Sequence, residues 1–153
     1  GNFPTDYVPT IFENYKAKVK INNIEREILL WDTAGQEELL NIRVLSYPNT
    51  HIYLMCFAVV DKPSLQNLKD KWIKKKPTFI LVGLKTDLRD TNEPEQCISK
   101  EEGEAMAQQL GAKAYVECSS LKNSGVKEVF DTAIIEAIKH DDEDSEKSCC
   151  IIA

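Results

Sequence analysis

Two nearly continuous apolar runs, at residues 52–60 and 79–82, constrain the fold of this chain more than any other feature. A shorter run follows at residues 114–116, and segments with helical spacing of apolar residues lie between the runs. Continuous apolar runs are typical of strands that are covered on both faces. Strands of this kind that alternate with helices predict an α/β domain with a mostly parallel sheet. The longest run is too short to cross a bilayer as a helix.

The N-terminal part of the chain predicts an antiparallel hairpin. Residues 17–21 alternate apolar side chains with lysines, as in a strand with one buried face. Asn22 and Asn23 form a turn signal, and residues 28–31 predict a second strand that ends at Asp32.

Three segments have the pattern of helices. Residues 64–73 and 126–138 place apolar side chains at helical spacing. Ser99 and Glu102 have the spacing of a capping box for a third helix, and Gly111 is a stop signal for it.

The composition limits the possible classes of function. The chain has 153 residues, of which 42% are apolar and 29% charged, as expected for one globular domain. Its net charge of −6 argues against nucleic-acid binding, and its odd number of cysteines argues against a secreted disulfide scaffold. We expect a domain over residues 1–139 and a flexible acidic tail over residues 140–153.

Polar residues follow the predicted strand that ends at Asp32. In open α/β sheets, ligands bind outside the carboxyl ends of the strands. Asp32 could hold Mg²⁺ directly or through water, and Gly35 could let a backbone N–H approach a phosphate closely. Gln36 could orient an attacking water. The alternative is an ordinary turn in which Asp32 caps a helix.

Two further loops follow later strands. The carboxylate of Asp87 could accept hydrogen bonds from N1 and the exocyclic amine of guanine, a donor pair that adenine lacks. The stem of Lys85 could lie against the purine face. Ser119 and Ser120 are small enough for backbone N–H groups to reach a base carbonyl. Each pattern alone also fits a solvated surface pair or an ordinary loop.

The two ends of the sequence carry a candidate ligand and a candidate modification site. Thr10, within residues 7–15, has a hydroxyl that could bind Mg²⁺, although these residues also fit an ordinary connecting loop. Residues 150–153 read Cys-Ile-Ile-Ala, which fits a C-a-a-X prenylation box of the farnesyl type. The alternative is a chance cysteine at this position.

The order of these loops resembles the Rho family of small GTPases. The likeness runs over residues 2–153 and is close in residues 7–15 and 31–37. Residues 12–15 lean toward the Rho branch and residues 118–121 toward the Rac branch, so the branch stays open. The resemblance implies a mostly parallel, three-layer G domain of the P-loop NTPase type with an antiparallel edge hairpin.

The resemblance implies specific roles in nucleotide binding. Thr10 and Asp32 would bind Mg²⁺, and Gly35 would donate its N–H to the γ-phosphate of GTP. Gln36 would be the catalytic residue that positions the hydrolytic water. The other nucleotide-binding residues would be Phe3, Lys85, Asp87, Ser119, Ser120 and Leu121.

The resemblance also implies a partner surface and a membrane anchor. Effectors and exchange factors would bind a surface formed by Tyr7, Val8, Pro9, Phe12, Glu13, Asn14, Tyr15 and Trp31. Cys150 would be prenylated, and Cys149 could carry a second lipid.

The function implied is that of a GTP/GDP switch in signal transduction and actin regulation. Its partners would be exchange factors, GTPase-activating proteins, a dissociation inhibitor and effectors such as kinases. It would act as a monomer at the cytoplasmic face of the plasma membrane, without nucleic acid.

The sequence departs from the family in five respects. These residues contain no G-x-x-x-x-G-K-[ST] string, which would bind the phosphates. Leu84 stands where the family has a polar Asn or Thr. The segments at residues 72–79 and 90–100 are shorter than the family norm, and residues 141–147 are acidic rather than basic.

These departures have a structural consequence. The family's first strand lies between the strands predicted at residues 28–32 and 52–60, and these residues show no equivalent of it. We therefore expect the two strands either to pair directly or to leave a chain that does not fold alone, since buried backbone needs hydrogen-bond partners.

Three interpretations remain. The first is a Rho-type GTPase whose N-terminal strand, phosphate loop and first helix lie outside this sequence. The second is an interaction protein that binds no nucleotide but engages exchange factors or effectors. The third, an unrelated α/β domain, is disfavoured by the order of the loops.

Overall fold

The structure is a computed structural model that describes residues 3, 10–21, 24–34, 39, 41, 44–72, 78–141 and 149–152. The chain divides into two compact units. The first unit comprises Gly1–Tyr53 and Ala133–Ala153, and the second comprises Leu54–Thr132.

The described residues form six strands and three α-helices. The strands are β1 (Phe12–Ile21), β2 (Ile24–Thr33), β3 (Ile52–Ala58), β4 (Phe79–Leu84), β5 (Tyr115–Glu117) and β6 (Cys149–Ile152). The helices are α1 (Lys62–Asn67), α2 (Lys100–Leu110) and α3 (Val126–Asp141).

In the first unit, β1 and β2 form the predicted antiparallel hairpin. Their register runs from Phe12 opposite Thr33 to Ile21 opposite Ile24. Strand β1 begins at Phe12, so part of the segment expected as a loop is strand. The reason is a diagonal cross-strand contact, in which the rings of Phe12 and Trp31 lie 5.0 Å apart.

The partner of β2 on its other side differs from the expectation. Strand β6 runs parallel to β2, with Cys149 opposite Ile28 and Ile152 opposite Trp31. It also pairs in parallel with the start of β3, where Ile151 lies opposite Ile52. Direct pairing of β2 and β3, the first of the two expected alternatives, is therefore wrong, because a strand from the expected flexible tail lies between them.

Burial explains why a strand lies between β2 and β3. Ile28 in β2 and Ile52 in β3 are both buried, so their strands need hydrogen-bond partners that water does not supply. The tail contributes two consecutive β-branched residues, Ile151 and Ile152, which suit a strand. The Asn22–Asn23 turn and residues 142–148 of the acidic tail lie outside the described residues.

In the second unit, the remainder of β3 is followed by β4 and β5 in that order. Strands β4 and β5 are parallel, as predicted, with Leu81 opposite Tyr115. Ile80, Leu81 and Val82 have no solvent exposure, in agreement with the continuous apolar run. The rings of Phe57 and Tyr115 stack at 6.3 Å.

The helices begin and end at recognisable signals. Asp61 caps α1 by accepting a hydrogen bond from the N–H of Ser64 at 3.2 Å, and a π-helical turn over Leu68–Trp72 replaces the expected straight continuation. The capping box of Ser99 and Glu102 at the start of α2 is confirmed, and Gly111 ends that helix with a φ of +78°.

The apolar stripe of α3 is also confirmed. Val129, Ala133 and Ala137 are buried, and the helix continues to Asp141, two residues into the expected tail. Within the described residues, no helix combines the length and apolar character that crossing a membrane requires.

Candidate functional site

The loops after β4 and β5 come together at one edge of the second unit. The two strands are parallel and paired, with Gly83 opposite Glu117, so their carboxyl ends emerge side by side. The N–H of Cys118 donates to the carbonyl of Gly83 at 2.8 Å, and that of Thr86 donates to the carbonyl of Cys118 at 3.3 Å. The structure thus brings the Lys85–Asp87 loop against the Cys118–Leu121 loop.

A direct side-chain bond joins these two loops. The hydroxyl of Ser119 donates to Oδ1 of Asp87 at 2.5 Å. The hydroxyl oxygen of Ser119 accepts the N–H of Lys122 at 3.0 Å, which directs the hydroxyl proton toward Asp87. A carboxylate has about four lone-pair sites, so the half-buried Asp87 can still accept hydrogen bonds from a ligand.

The structure places Ser119, expected to contact a nucleotide, in the core. Ser119 is only 1% exposed, and its N–H donates to the carbonyl of Ser124 at 2.9 Å. Its hydroxyl contacts Asp87, another residue expected to recognise the base. Its neighbours Ser120 and Leu121 are exposed, and 53% of Leu121 is accessible to solvent.

Lys85 has an unusual backbone conformation for a residue with a side chain. Its φ of 62° and ψ of 38° place it in the left-handed region, directly before the 3₁₀ turn Thr86–Thr91. This conformation turns the chain sharply at the end of β4 and leaves the lysine side chain exposed. Gly125, at a φ of +72°, ends the second loop, and a Cβ there would lie 2.2 Å from the carbonyl oxygen of Glu117.

An ion pair between Arg89 and Glu117 lies next to these loops. Arg89 donates to both carboxylate oxygens of Glu117, at 2.6 and 3.0 Å. Its Nε and one terminal nitrogen donate to the carbonyl of Ile98, at 3.2 and 3.0 Å. The hydrogen bonds that Arg89 donates to Glu117 raise the pKa of Arg89, despite partial burial.

Tyr115 completes this cluster by donating to Oε1 of Glu117 at 2.7 Å. Burial and this hydrogen bond raise the pKa of Tyr115 far above its ordinary value. Burial alone would raise the pKa of Glu117, but the hydrogen bonds from Arg89 and Tyr115 outweigh it and the pKa is lowered. Two glycines make room for the ring, since a Cβ at Gly83 or Gly103 would lie 2.7 or 2.3 Å from the tyrosine hydroxyl.

Sequence reasoning gave no role to Arg89 or Glu117. No spacing in the sequence relates them, because Glu117 is the last residue of β5 whereas Arg89 lies on the turn after β4. Arg89 lies two residues after Asp87, and Glu117 lies two residues before Ser119.

Two other candidates lie at one end of the hairpin in the first unit. The N–H of Ala34 donates to the carbonyl of Ile11 at 3.3 Å, and Asp32 lies opposite Glu13. This pairing brings Thr10 and Asp32, both half-buried, to the same end of β1 and β2. The described residues contain no group of three or more His, Cys, Asp or Glu side chains that could hold a metal.

Strand β1 carries most of the described partner-surface candidates. Glu13, Asn14 and Tyr15 are exposed, and the hydroxyl of Tyr15 donates to Glu13, which raises the pKa of the tyrosine. Phe3 is 53% exposed. The candidates Tyr7, Val8, Pro9, Gly35 and Gln36 lie outside the described residues.

Comparison with known proteins identifies the family. The family model described as "Ras family" matches residues 1–139. GTP-binding protein RHO1 of Candida albicans is 40% identical, over 99% of this chain and 84% of its own length. GTP-binding proteins rho2 and rho5 of Schizosaccharomyces pombe are 41% and 46% identical, over 100% and 87% of this chain and 85% and 74% of their own lengths. The chain is a Rho-type small GTPase of the Ras family.

Membership in this family confirms the fold class. A Rho-type small GTPase has a Ras-like α/β G domain, and the parallel strands and edge hairpin of this chain agree with it. The alignment with RHO1 spans 166 positions, more than the length of this chain, so this Rho-type GTPase is shorter than that relative within the aligned region.

Proposed function

We propose that this Rho-type GTPase binds guanine nucleotides at the edge of its second unit, with Asp87 recognising the base. The observation that carries this proposal is the hydrogen bond from Ser119, which holds the Asp87 carboxylate at the carboxyl ends of two parallel strands. Guanine offers two adjacent N–H donors to a carboxylate, and charge-assisted pairs of this kind are strong. Lys85 is exposed beside this carboxylate, so its stem can cover one face of the base.

The proposed role of this site is that of a GTP/GDP switch. The relatives RHO1, rho2 and rho5 are named GTP-binding proteins. The γ-phosphate would be bound by the N–H groups of Thr10 and Gly35, and Gln36 would position the water that hydrolyses it.

The residues at the end of the hairpin fit a magnesium ion. Thr10 and Asp32 supply a hydroxyl and a carboxylate, and Mg²⁺ prefers oxygen ligands of this kind. One protein carboxylate suffices because Mg²⁺ in such sites keeps waters and binds phosphate oxygens as well. When bound, the ion would neutralise charge on the phosphates.

Titration of the purified chain with GDP and ADP in the presence of Mg²⁺ tests the base site. We expect GDP to bind more tightly than ADP, and Asp87→Asn to weaken GDP binding by about 1.5–3 kcal/mol, since it removes the charge from the hydrogen-bonded pair. Asp90→Asn is the matched control because Asp90 is an exposed residue on the same 3₁₀ turn. Equal affinities for GDP and ADP would contradict the proposal.

The partners of the switch are proposed to bind strand β1. This strand lies at the edge of the sheet and exposes Glu13 and Tyr15 on one face and Asn14 on the other. Exchange factors, GTPase-activating proteins, a dissociation inhibitor and effectors that act in signalling and actin regulation would recognise it. Loss of effector capture in Tyr15→Ala, with retained GDP binding, is the expected result.

We further propose that the protein acts at the cytoplasmic face of membranes through a lipid on Cys150. The support is the sequence pattern of residues 150–153, and Cys149 is a candidate for a second lipid. Because both cysteines pair with β2 in the unmodified chain, lipidation would require β6 to leave the sheet. One lipid gives only marginal anchoring, so stable binding would need the second. Intact mass spectrometry of protein from the membrane fraction would detect both lipids, and an unmodified mass would contradict this part of the proposal.

A further inference from the structure

The Arg89–Glu117 ion pair and the Ser119–Asp87 hydrogen bond connect the same two segments. Arg89 and Asp87 both lie on the 3₁₀ turn Thr86–Thr91. Glu117 ends β5, and Ser119 follows it by two residues. The turn that carries Asp87 is therefore attached at two points to the end of β5 and the residues that follow it.

The geometry of the ion pair makes this attachment stiff. The guanidinium donates to both oxygens of Glu117 and to the carbonyl of Ile98, so three of its nitrogens are held. The side chains of Arg89 and Glu117 are 26% and 14% exposed, less in total than any other ion pair within the described part of the chain. A planar guanidinium that donates two parallel hydrogen bonds fixes both the distance and the relative orientation of Arg89 and Glu117.

We propose that the Arg89–Glu117 ion pair sets the specificity for guanine by fixing the orientation of the Asp87 carboxylate. This inference rests on the proposed guanine site. The hydrogen bond from Ser119 restrains one oxygen of Asp87, but it does not fix the backbone of the turn that carries Asp87. Two parallel hydrogen bonds to a base tolerate an error in direction of only about 10–20°. The ion pair holds Arg89, two residues after Asp87 on the same turn, and so fixes the backbone from which the carboxylate reaches the base.

The ratio of affinities for GDP and IDP tests this specificity role directly. Inosine lacks the exocyclic amine of guanine but keeps N1–H, so the ratio reports the second hydrogen bond to Asp87. In Glu117→Gln and in Arg89→Lys we expect GDP binding to weaken more than IDP binding, with the ratio falling about tenfold. Lysine keeps the charge but lacks the planar guanidinium, so Arg89→Lys should lower the GDP/IDP ratio as much as Glu117→Gln does.

Asp131→Asn is the matched control for charge. Asp131 pairs with Lys127 on the exposed face of α3 in the same unit, and its substitution removes one negative charge without touching the ion pair. The control should keep the GDP/IDP ratio of the original chain. If Glu117→Gln weakens GDP and IDP equally, the ion pair has only a structural role and the proposal is overturned.

Amide hydrogen exchange in the ligand-free chain separates this proposal from the proposed function. The N–H of Thr86 donates across the two loops to Cys118, and the N–H of Lys122 donates to the Ser119 hydroxyl that holds Asp87. The N–H of Leu81 instead donates to Ala114 within the sheet. In Glu117→Gln we expect faster exchange at Thr86 and Lys122 and unchanged exchange at Leu81. Unchanged exchange at all three would overturn the positioning role. Faster loop exchange in a chain that binds neither GDP nor IDP would support the positioning role and refute the guanine site.

Discussion

Hydrogen bonds between single side chains at the ends of β4 and β5 fix the position of the Asp87 carboxylate. The hydroxyl of Ser119 has one donor, which it gives to Asp87, and it accepts from Lys122. Glu117 receives three hydrogen bonds, two from Arg89 and one from Tyr115. Because each group has its partner, the carboxylate of Asp87 is held in place before any ligand arrives.

Substitution of Ser119 tests this arrangement at the residue scale. In Ser119→Ala, Asp87 loses a charge-assisted hydrogen bond worth about 1.5–3 kcal/mol, so we expect GDP affinity to fall by about 10- to 100-fold. Ser120→Ala is the control because Ser120 is exposed and the substitution keeps its backbone N–H. The measurement is isothermal titration with GDP, and equal affinities for both variants would contradict a positioning role for Ser119.

Glu117 predicts a dependence of stability on pH. Its pKa is lowered in the folded chain, so the carboxylate stabilises the fold above the unfolded pKa of about 4.5. This contribution is lost as the pH falls through the lower, folded pKa. We expect Glu117→Gln to be less stable by about 1–3 kcal/mol at pH 7, with the difference narrowing below pH of about 4.5. Urea unfolding at several pH values measures it, and a constant difference would contradict the prediction.

At the scale of elements, close packing between α2 and β5 fixes the position of the tyrosine in the cluster. Gly103 lies inside α2, where glycine normally weakens a helix by about 0.5–1 kcal/mol relative to alanine. Here it leaves room for the ring of Tyr115, which in turn stacks on Phe57. Helix α2 is therefore intrinsically less stable with Gly103 than with alanine, but the glycine allows Tyr115 of β5 to pack against it.

Gly103→Ala should destabilise the protein although it improves helix propensity. The new Cβ would lie 2.3 Å from ring atoms of Tyr115, and overpacking of this kind costs about 1–3 kcal/mol. Gln108→Ala, at an exposed position on the same helix, should change stability by less than about 0.5 kcal/mol. Thermal unfolding of the two variants measures the difference. A Gly103→Ala variant more stable than the original would refute the packing argument.

Strand β6 predicts the effect of a proline in the tail. Ile151 lies between Leu30 of β2 and Ile52 of β3, so a proline there removes a backbone donor inside the sheet. We expect Ile151→Pro to lose about 1–3 kcal/mol of stability and to speed amide exchange at Leu30 and Ile52. Ile151→Val keeps the donor and the β-branch and serves as the control. Exchange that is unaffected by the proline would show that β6 does not hold this place in solution.

At the scale of the whole molecule, the two units differ in how their strands are covered. Strand β4 of the second unit is buried over Phe79–Gly83, whereas most residues of β1 in the first unit are exposed. Stability in proteins is not uniform, and segments with few buried apolar contacts open at lower free energy.

Native-state hydrogen exchange should therefore separate the two units. We expect the amide of Leu81, bonded to Ala114 in a fully buried strand, to be among the slowest to exchange. Amides of Tyr15 and Lys16 should exchange through local opening of the hairpin, at a rate little affected by low urea concentrations. Equal protection of Leu81 and Lys16 would mean that the chain opens only as one cooperative unit.

The sequence by itself determined the class of the fold and the order of most elements. The apolar runs predicted β3 and β4, and the Ser99–Glu102 spacing predicted the start of α2. The alternation of apolar residues with lysines predicted the first strand of the hairpin. These features are local, since a strand covered on both faces or a helix cap depends on neighbouring residues in the chain. The family also followed from local strings in a fixed order, which the comparisons confirm.

Only the tertiary structure decided which residues meet. It placed Ser119 in the core as a support for Asp87, joined Arg89 to Glu117, and inserted Cys149–Ile152 between β2 and β3. None of these pairings has a periodicity that can be read along the chain, because the partners are separated by 28 or more residues. They form since buried polar groups and buried strand edges must find hydrogen-bond partners wherever the fold supplies them.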